Sequence, residues 1–204
     1  MAWASILYAL LVFLPAYVAN MGPVFVAKII PGWKAPIDGG RMAKDGKRLL
    51  GPGKTWRGLS GGTVLGAVTA IVVALAVPGE SQSGFFAGWD YGSHASPPSA
   101  LWAIALFGAV MGFMALVGDA VKSYFKRRTG RDRGRPWVPF DQLDFVVFGL
   151  LGMTLAAPLL PAGWVTHRLL DSWLTLATLL VLTPLLHLLV NRIGYWLGLK
   201  EVPW

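Results

Sequence analysis

The stretch "GPGKTWRGLSGGTVLGAVTAIVVALAV" (residues 51–77) passes directly from glycines and cations into a run that carries no charge after Arg57. At a helical rise of about 1.5 Å per residue, the uncharged part is long enough to cross the roughly 30 Å hydrocarbon core of a bilayer. The cationic part looks built for phosphate. A nucleotide-hydrolysing P-loop needs a glycine five residues before Gly53, after a strand; this chain has Arg48 there, no strand of ordinary length before it, and an apolar run after it. What remains is a glycine-rich loop at a membrane edge. Its Lys54, Thr55 and Arg57 can supply two cations and a hydroxyl, while Gly51 and Gly53 permit close backbone approach. Taken alone, the same residues also suit cations that snorkel toward anionic headgroups.

The rest of the 204-residue chain repeats the apolar theme. It is 55% hydrophobic and 14% charged, more apolar than a water-soluble domain of this length can hide. Residues 2–18, 59–77, 101–117, 145–160 and 169–190 read as spans. The expectation is an all-α integral membrane protein: one transmembrane domain over 1–204, about five transmembrane helices, and two basic loops at about 28–58 and 122–143. The first span lacks a basic flank and a convincing cleavage site, so it reads as retained and not as a signal peptide. Pro15 and Pro184 predict local bends. Gly62, Gly66 and Ala70 form a small-residue stripe suited to close helix contact, with no indication of which helix it meets.

Charge placement predicts orientation. Lys and Arg crowd the loops after spans one and three, whereas the opposite side offers Arg168 alone. The positive-inside rule therefore places both loops and the C-terminus in the cytoplasm and the N-terminus outside, in a multi-pass cell-membrane protein. Trp33, Trp56, Trp102, Trp137, Trp164 and Trp173 fall near span ends, as interfacial anchors do. The net charge of +8 sits in membrane-edge loops without a nucleic-acid fold, which favours phosphate or anionic lipid over nucleic acid as partner. The absence of cysteine excludes disulfides and thiolate chemistry. His94 and His167 fall on the outer side, and His187 inside span five reads as a packed residue.

The acidic residues are few and placed beside these cations. Asp119 ends span three, and Asp141 and Asp144 begin span four, whose apolar part reaches the usual crossing length only when residues 141–143 are added. A carboxylate at that depth is costly unless it meets water, a cation or a basic partner. At spacing i, i+3, Asp141 and Asp144 share a helix face and could hold Mg²⁺ against substrate phosphates. Helix capping by Asp141, with Asp144 favouring the N-terminal dipole, is the competing reading. Asp119 could simply pair with Lys122 at i+3.

The run "GDAVKSYFKRRTGRDRGRPWVPFDQLD" (residues 118–144) resembles the signature of the CDP-diglyceride synthetase superfamily. Its elements are Gly118-Asp119, Ser123 to Arg127, Arg131-Asp132, and the paired Asp141 and Asp144. The His-Gly-Gly before the aspartates is missing and Gln142 replaces the intervening arginine. The compact length, "GPGKTWRG" and "DQLDF" are similar instead to the archaeal CDP-archaeol synthase branch. The resemblance implies an enzyme, a Mg²⁺-dependent cytidylyltransferase of phospholipid biosynthesis. It would join CTP to an isoprenoid ether-lipid phosphate, bis-geranylgeranylglycerol phosphate, giving CDP-archaeol in unsaturated form and pyrophosphate.

It further implies Asp141 and Asp144 as metal ligands and catalytic residues, with Asp119 as a third ligand or an orienting group. Lys126 and Arg127 would act on the phosphates as catalytic cations. Gly53, Lys54, Thr55, Arg57, Asp119 and Ser123 would bind substrate, with Thr55 and Ser123 as hydrogen-bond donors. Arg131 and Asp132 belong either to the nucleotide site or to a solvated loop. Membrane lipids surround the whole, and the oligomeric state stays open. Two alternatives remain. A CDP-alcohol phosphatidyltransferase-like enzyme would need an Asp-Gly-x-x-Ala-Arg start that "DGGRMAKDG" does not reproduce; a non-catalytic anionic-lipid-binding or anion-conducting protein would need no paired carboxylates.

Overall fold

The computed structural model describes residues 2–76, 97–131, 135–156, 173–199 and 203. Apolar stretches too long for water form helices because a helix satisfies its own backbone groups, which a bilayer cannot do. The helices are α1 (Ala2–Ile29), α2 (Trp56–Ala76), α3 (Pro97–Arg128) and α4 (Phe140–Ala156). They are followed by a final rod made of α5 (Trp173–Ala177), a π-helical turn (Thr178–Leu182) and α6 (Thr183–Trp196). Four stretches, Ala9–Ile29, Trp56–Ala76, Leu101–Arg128 and Trp173–Trp196, are long and apolar enough to cross a membrane. Among the described residues there are no strands, only two isolated bridges in the loop between α1 and α2. The chain is thus an all-α membrane protein with four such spans among the described residues, roughly consistent with the expected five; α4, also expected as a span, is shorter at 17 residues.

The first span runs well past the expected end at residue 18. Gly22 and Pro23 look like a break in the sequence, but both are packing surfaces: a Cβ on Gly22 would lie 2.7 Å from the Gly62 Cα, and Pro23 sits over Gly58. The expected bend at Pro184 has a visible counterpart in the π-helical turn just before it. Proline removes a backbone N–H, and a local change of winding accommodates the freed carbonyl. α4 begins at Phe140, so its polar first turn belongs to the helix, as the length argument requires.

The small-residue stripe of α2 meets two helices. Gly62 lies against the Ala19 carbonyl of α1 and Leu116 of α3, and Gly66 packs onto the Gly108 carbonyl of α3. On the opposite face Val64, Val68, Val72 and Leu75 are exposed. An apolar exterior opposite a glycine seam is what a helix shows when lipid is its outer solvent. The core between α1, α3 and α4 contains Phe13, Ile104, Phe107, Met111, Phe145 and Met153. The final rod closes on it through Leu179 and a hydrogen bond between the hydroxyls of Tyr17 and Thr183. His187, expected as a packed residue, stacks obliquely on Phe145 at 5.7 Å and lies beside Asn191. His94, His167, Trp164 and Arg168 lie outside the described residues.

The Gly66 contact is directly testable. Any Cβ there would come within 2.6 Å of the Gly108 carbonyl oxygen, a backbone atom that cannot move aside cheaply. Gly66→Val is expected to lower the melting midpoint of the detergent-solubilised protein by the effect of about 1–3 kcal/mol or more of overpacking. Val68→Leu, on the exposed face, is expected to leave the midpoint unchanged.

Candidate active site

At one end of the bundle the loop 30–55 folds under α3. Its organiser is Asp38, which the sequence reading passed over. Its buried carboxylate accepts N–H groups from Gly40 at 3.0 Å and from Leu50 and Gly51 at 3.1 Å, and pairs with Arg48 at 2.7 Å. Burial alone would raise its pKa; the Arg48 guanidinium and the three N–H donors outweigh burial and hold the carboxyl well below the ordinary range. The legible signal was Asp-Gly-Gly, whose glycines adopt φ of +56° and +80° and let the chain turn around the carboxylate. Arg128 ties this loop to α3: it donates to the Arg48 carbonyl at 2.8 Å, pairs with Asp45 at 3.0 Å, and lies over the Tyr124 ring.

This scaffold changes the reading of the opening stretch. The Gly51 N–H is committed to Asp38, and Gly51, at φ +104°, lies against the Arg127 guanidinium. Thr55 caps α2, its hydroxyl oxygen accepting the Gly58 N–H at 3.2 Å. Arg57, expected at phosphate, is buried and donates instead to the Ile30 carbonyl, satisfying a backbone group where α1 ends. Neither Thr55 nor Arg57 lines the polar cavity that this loop forms with α3 and α4. Lys54 does.

The cavity, about 180 Å³, is lined by Leu50, Gly51, Gly53, Lys54, Asp119, Lys122, Ser123, Lys126, Arg127 and Asp141. One loop and the ends of two helices, distant in sequence, thus form one polar pocket; the part of the expected basic loop at 122–128 is the end of α3, and 140–143 is the start of α4. Lys54 pairs with Asp119, and Lys126 holds both oxygens of Asp141 at 3.0 and 3.1 Å. At the centre stands Lys122, whose ammonium meets Asp119 at 3.0 Å, Asp144 at 2.9 Å and Asp141 at 3.5 Å. The expected i, i+3 pairing of Asp119 with Lys122 is present, but it is one contact of three. Asp141 and Asp144 share a helix face as predicted. Asp141 is not the N-cap residue: α4 starts before it, and its carboxylate reaches back to accept the Trp137 N–H at 2.6 Å. The Ser123 hydroxyl donates to the Asp119 carbonyl at 2.8 Å, so it offers the cavity an acceptor. Arg131 stays exposed, donating to the Pro136 carbonyl and covering the Trp137 ring, outside the cavity. Asp132 lies outside the described residues.

The carboxylate set suits a hard divalent cation in ligand type, since magnesium is commonly held by a few carboxylates together with substrate phosphates and water. Asp144 makes the case specific: its side chain is 6% exposed, and neither oxygen receives a well-aligned hydrogen bond. Among the described residues no three acidic or histidine groups stand as a ready metal cage. The three carboxylates converge instead on the Lys122 ammonium. Sequence reasoning assigned Lys122 no site role, because a basic residue one turn from an aspartate is ordinary helix chemistry.

An apolar bundle with a pocket of cations and carboxylates at one end fits the class of membrane-embedded enzymes that handle phosphates. The chain belongs to the CDP-archaeol synthase family: the family model for CarS-like CDP-archaeol synthase matches residues 3–204. It is 41% identical to the CDP-archaeol synthase of Methanocorpusculum labreanum, covering 94% of this chain and 99% of the relative. It is 40% identical to that of Halobacterium salinarum, covering 98% and 97%. A solved structure described as an intramembrane enzyme for archaeal membrane lipids biosynthesis matches with a TM-score of 0.59 and 32% identity, over 91% of this chain and 94% of that one.

The Asp38 hub predicts a pH dependence. A carboxyl whose folded pKa is depressed stabilises the fold fully above its unfolded value, about 3.9, and loses that contribution as pH falls toward the folded value. Asp38→Asn is expected to destabilise the protein at neutral pH by about 1–3 kcal/mol. The gap from wild type should shrink as unfolding is followed below about pH 4.

Proposed function

We propose that the chain joins CTP to the phosphate of an isoprenoid ether lipid and releases pyrophosphate, in the cavity between the loop 30–55 and the ends of α3 and α4. As a member of its family the chain is a cytidylyltransferase, a nucleotidyltransferase of archaeal membrane-lipid synthesis. The observation that carries the assignment of the site is the convergence of Lys54, Lys126 and Arg127 on one polar cavity at the end of an apolar bundle. There a lipid phosphate can enter while its chains remain in the bilayer.

In the reaction, a phosphate oxygen of the lipid attacks the α-phosphorus of CTP. The bond from that phosphorus to the β-phosphate oxygen breaks, and the pyrophosphate leaves with the electron pair. The nucleophile is already anionic and needs no strong base; the barrier lies in bringing two anions together and stabilising the leaving group. Lys54, Lys126 and Arg127 meet that need by neutralising and orienting phosphates. Gly53, without a side chain, leaves room beside Lys54. Asp119, Asp141 and Asp144 would hold Mg²⁺, which when bound supplies further positive charge to the phosphates. Both loops and the C-terminus face the cytoplasm, where CTP is found, and the N-terminus faces outward, by the asymmetry of Lys and Arg.

Purified protein is expected to release pyrophosphate only when CTP, the lipid phosphate and Mg²⁺ are all present; release without lipid phosphate would remove this reading. Asp141→Asn and Asp144→Asn should nearly abolish turnover in folded protein. Lys54→Ala should lower kcat/KM about 10-fold or more, with partial recovery in Lys54→Arg. For orientation, Ala43→Cys and Thr129→Cys should resist an impermeant thiol reagent in sealed cells, and Ser93→Cys should label. Labelling of Thr129→Cys from outside would reverse the topology.

A further inference from the structure

Lys122 is the one cation shared by all three carboxylates, and the assigned chemistry gives it no task. Its surroundings are specific. Asp119 has a second partner in Lys54 and Asp141 has one in Lys126, but among the described residues Asp144 has only Lys122 within ion-pair distance. Three ammonium groups thus balance three carboxylates. Lys122 stands where those carboxylates point, which is where a divalent ion bound by them would also stand. Two cations cannot share that point, because like charges in contact repel strongly where the site is only partly exposed to water. Lysine is suited to yield, because its charge rides on a flexible four-carbon stem. It has somewhere to go, since Lys122 already lines the phosphate cavity.

We propose that Lys122 is an internal counter-cation of the metal site: it holds Asp119, Asp141 and Asp144 together before metal binds, and is displaced toward the substrate phosphates when metal arrives. This rests on the assignment of those aspartates to a divalent ion. Metal binding and phosphate binding become linked through one side chain. An ion that binds the carboxylates releases a cation into the phosphate cavity, and phosphates that attract the cation leave the carboxylates open to the ion. Each ligand lowers the cost of binding the other, and the coupling is reciprocal by linkage. In the absence of both, the cluster stays neutral and half-buried.

The test uses Mn²⁺ alone as probe, with the full-length protein in detergent and no nucleotide, and reads free Mn²⁺ by electron paramagnetic resonance. Lys122→Met keeps an unbranched side chain one atom shorter and removes the competing charge, so it is expected to bind Mn²⁺ about 10-fold tighter than wild type or better. Lys122→Arg keeps the charge and is expected to bind no tighter than wild type. The melting midpoint gives a second readout: Lys122→Met should melt below wild type in chelator and gain more from Mn²⁺ than wild type does. If Lys122→Met folds only with metal, purification in Mn²⁺ followed by chelator competition measures the same affinity. At saturating Mn²⁺ the variant should also show a raised KM for CTP, because the displaced cation is missing. Equal or weaker Mn²⁺ binding by Lys122→Met than by wild type overturns the displacement role while leaving the metal assignment standing. No Mn²⁺ binding by either protein, with or without CTP, overturns both.

Discussion

The contact between Gly118 of α3 and the backbone of α4 is the constraint on which the site depends. A Cβ at Gly118 would lie 2.7 Å from the Asp144 carbonyl oxygen and 2.8 Å from Phe148. Glycine there lets the two backbones meet, and farther along Gly152 does the same against the Val110 carbonyl and Met114. Because Asp119 follows Gly118 directly, and Asp144 supplies the carbonyl it meets, close approach brings their carboxylates to 3.0 and 2.9 Å from one ammonium, that of Lys122. Buried ions are tolerated only when paired, so the approach and the pairing stabilise one another.

A second set of close contacts brings the other half of the pocket. Gly22, Gly62, Gly66 and Gly108 allow α1, α2 and α3 to pack nearly backbone to backbone. This fixes where α2 begins, and hence where Lys54 stands. Arg57 secures the same corner by holding the Ile30 carbonyl, and Asp38 folds the intervening loop on itself. Cations of the two basic stretches, among them Arg57, expected from the sequence at phosphate, therefore take different tasks. Arg48, Arg57 and Arg128 bind backbone carbonyls or structural carboxylates, while Lys54, Lys126 and Arg127 face the cavity. Guanidinium groups suit the first task because their fixed fork can satisfy several acceptors at once.

The pocket is formed before substrate arrives, but its charges are already paired with one another. Under the proposed function, phosphates entering it would exchange partners with carboxylates, and a cation bound by those carboxylates would make the exchange cheaper. The proposed reaction between two anions would gain from this arrangement, since Lys54, Lys126 and Arg127 already stand at the cavity before substrate binds.

The sequence by itself determined the class of the molecule. Length and charge-free composition of the apolar runs require helices in a bilayer, and the helical repeat puts Asp141 and Asp144 on one face whatever surrounds them. The run from Gly118 to Asp144 was specific enough to indicate the family, and the family match over residues 3–204 agrees with it. Local spacing could not reveal that Lys122 serves Asp141 and Asp144 as well as its neighbour Asp119, because those contacts cross between helices. Nor could it show that Arg57 reaches the Ile30 carbonyl at the end of α1 and that Asp38 gathers Arg48, Leu50 and Gly51 around a loop. Those roles were decided by tertiary structure alone: a charged side chain takes whichever partner the packing of glycine-lined helices brings within about 3 Å, and that distance is not written in the order of residues along the chain.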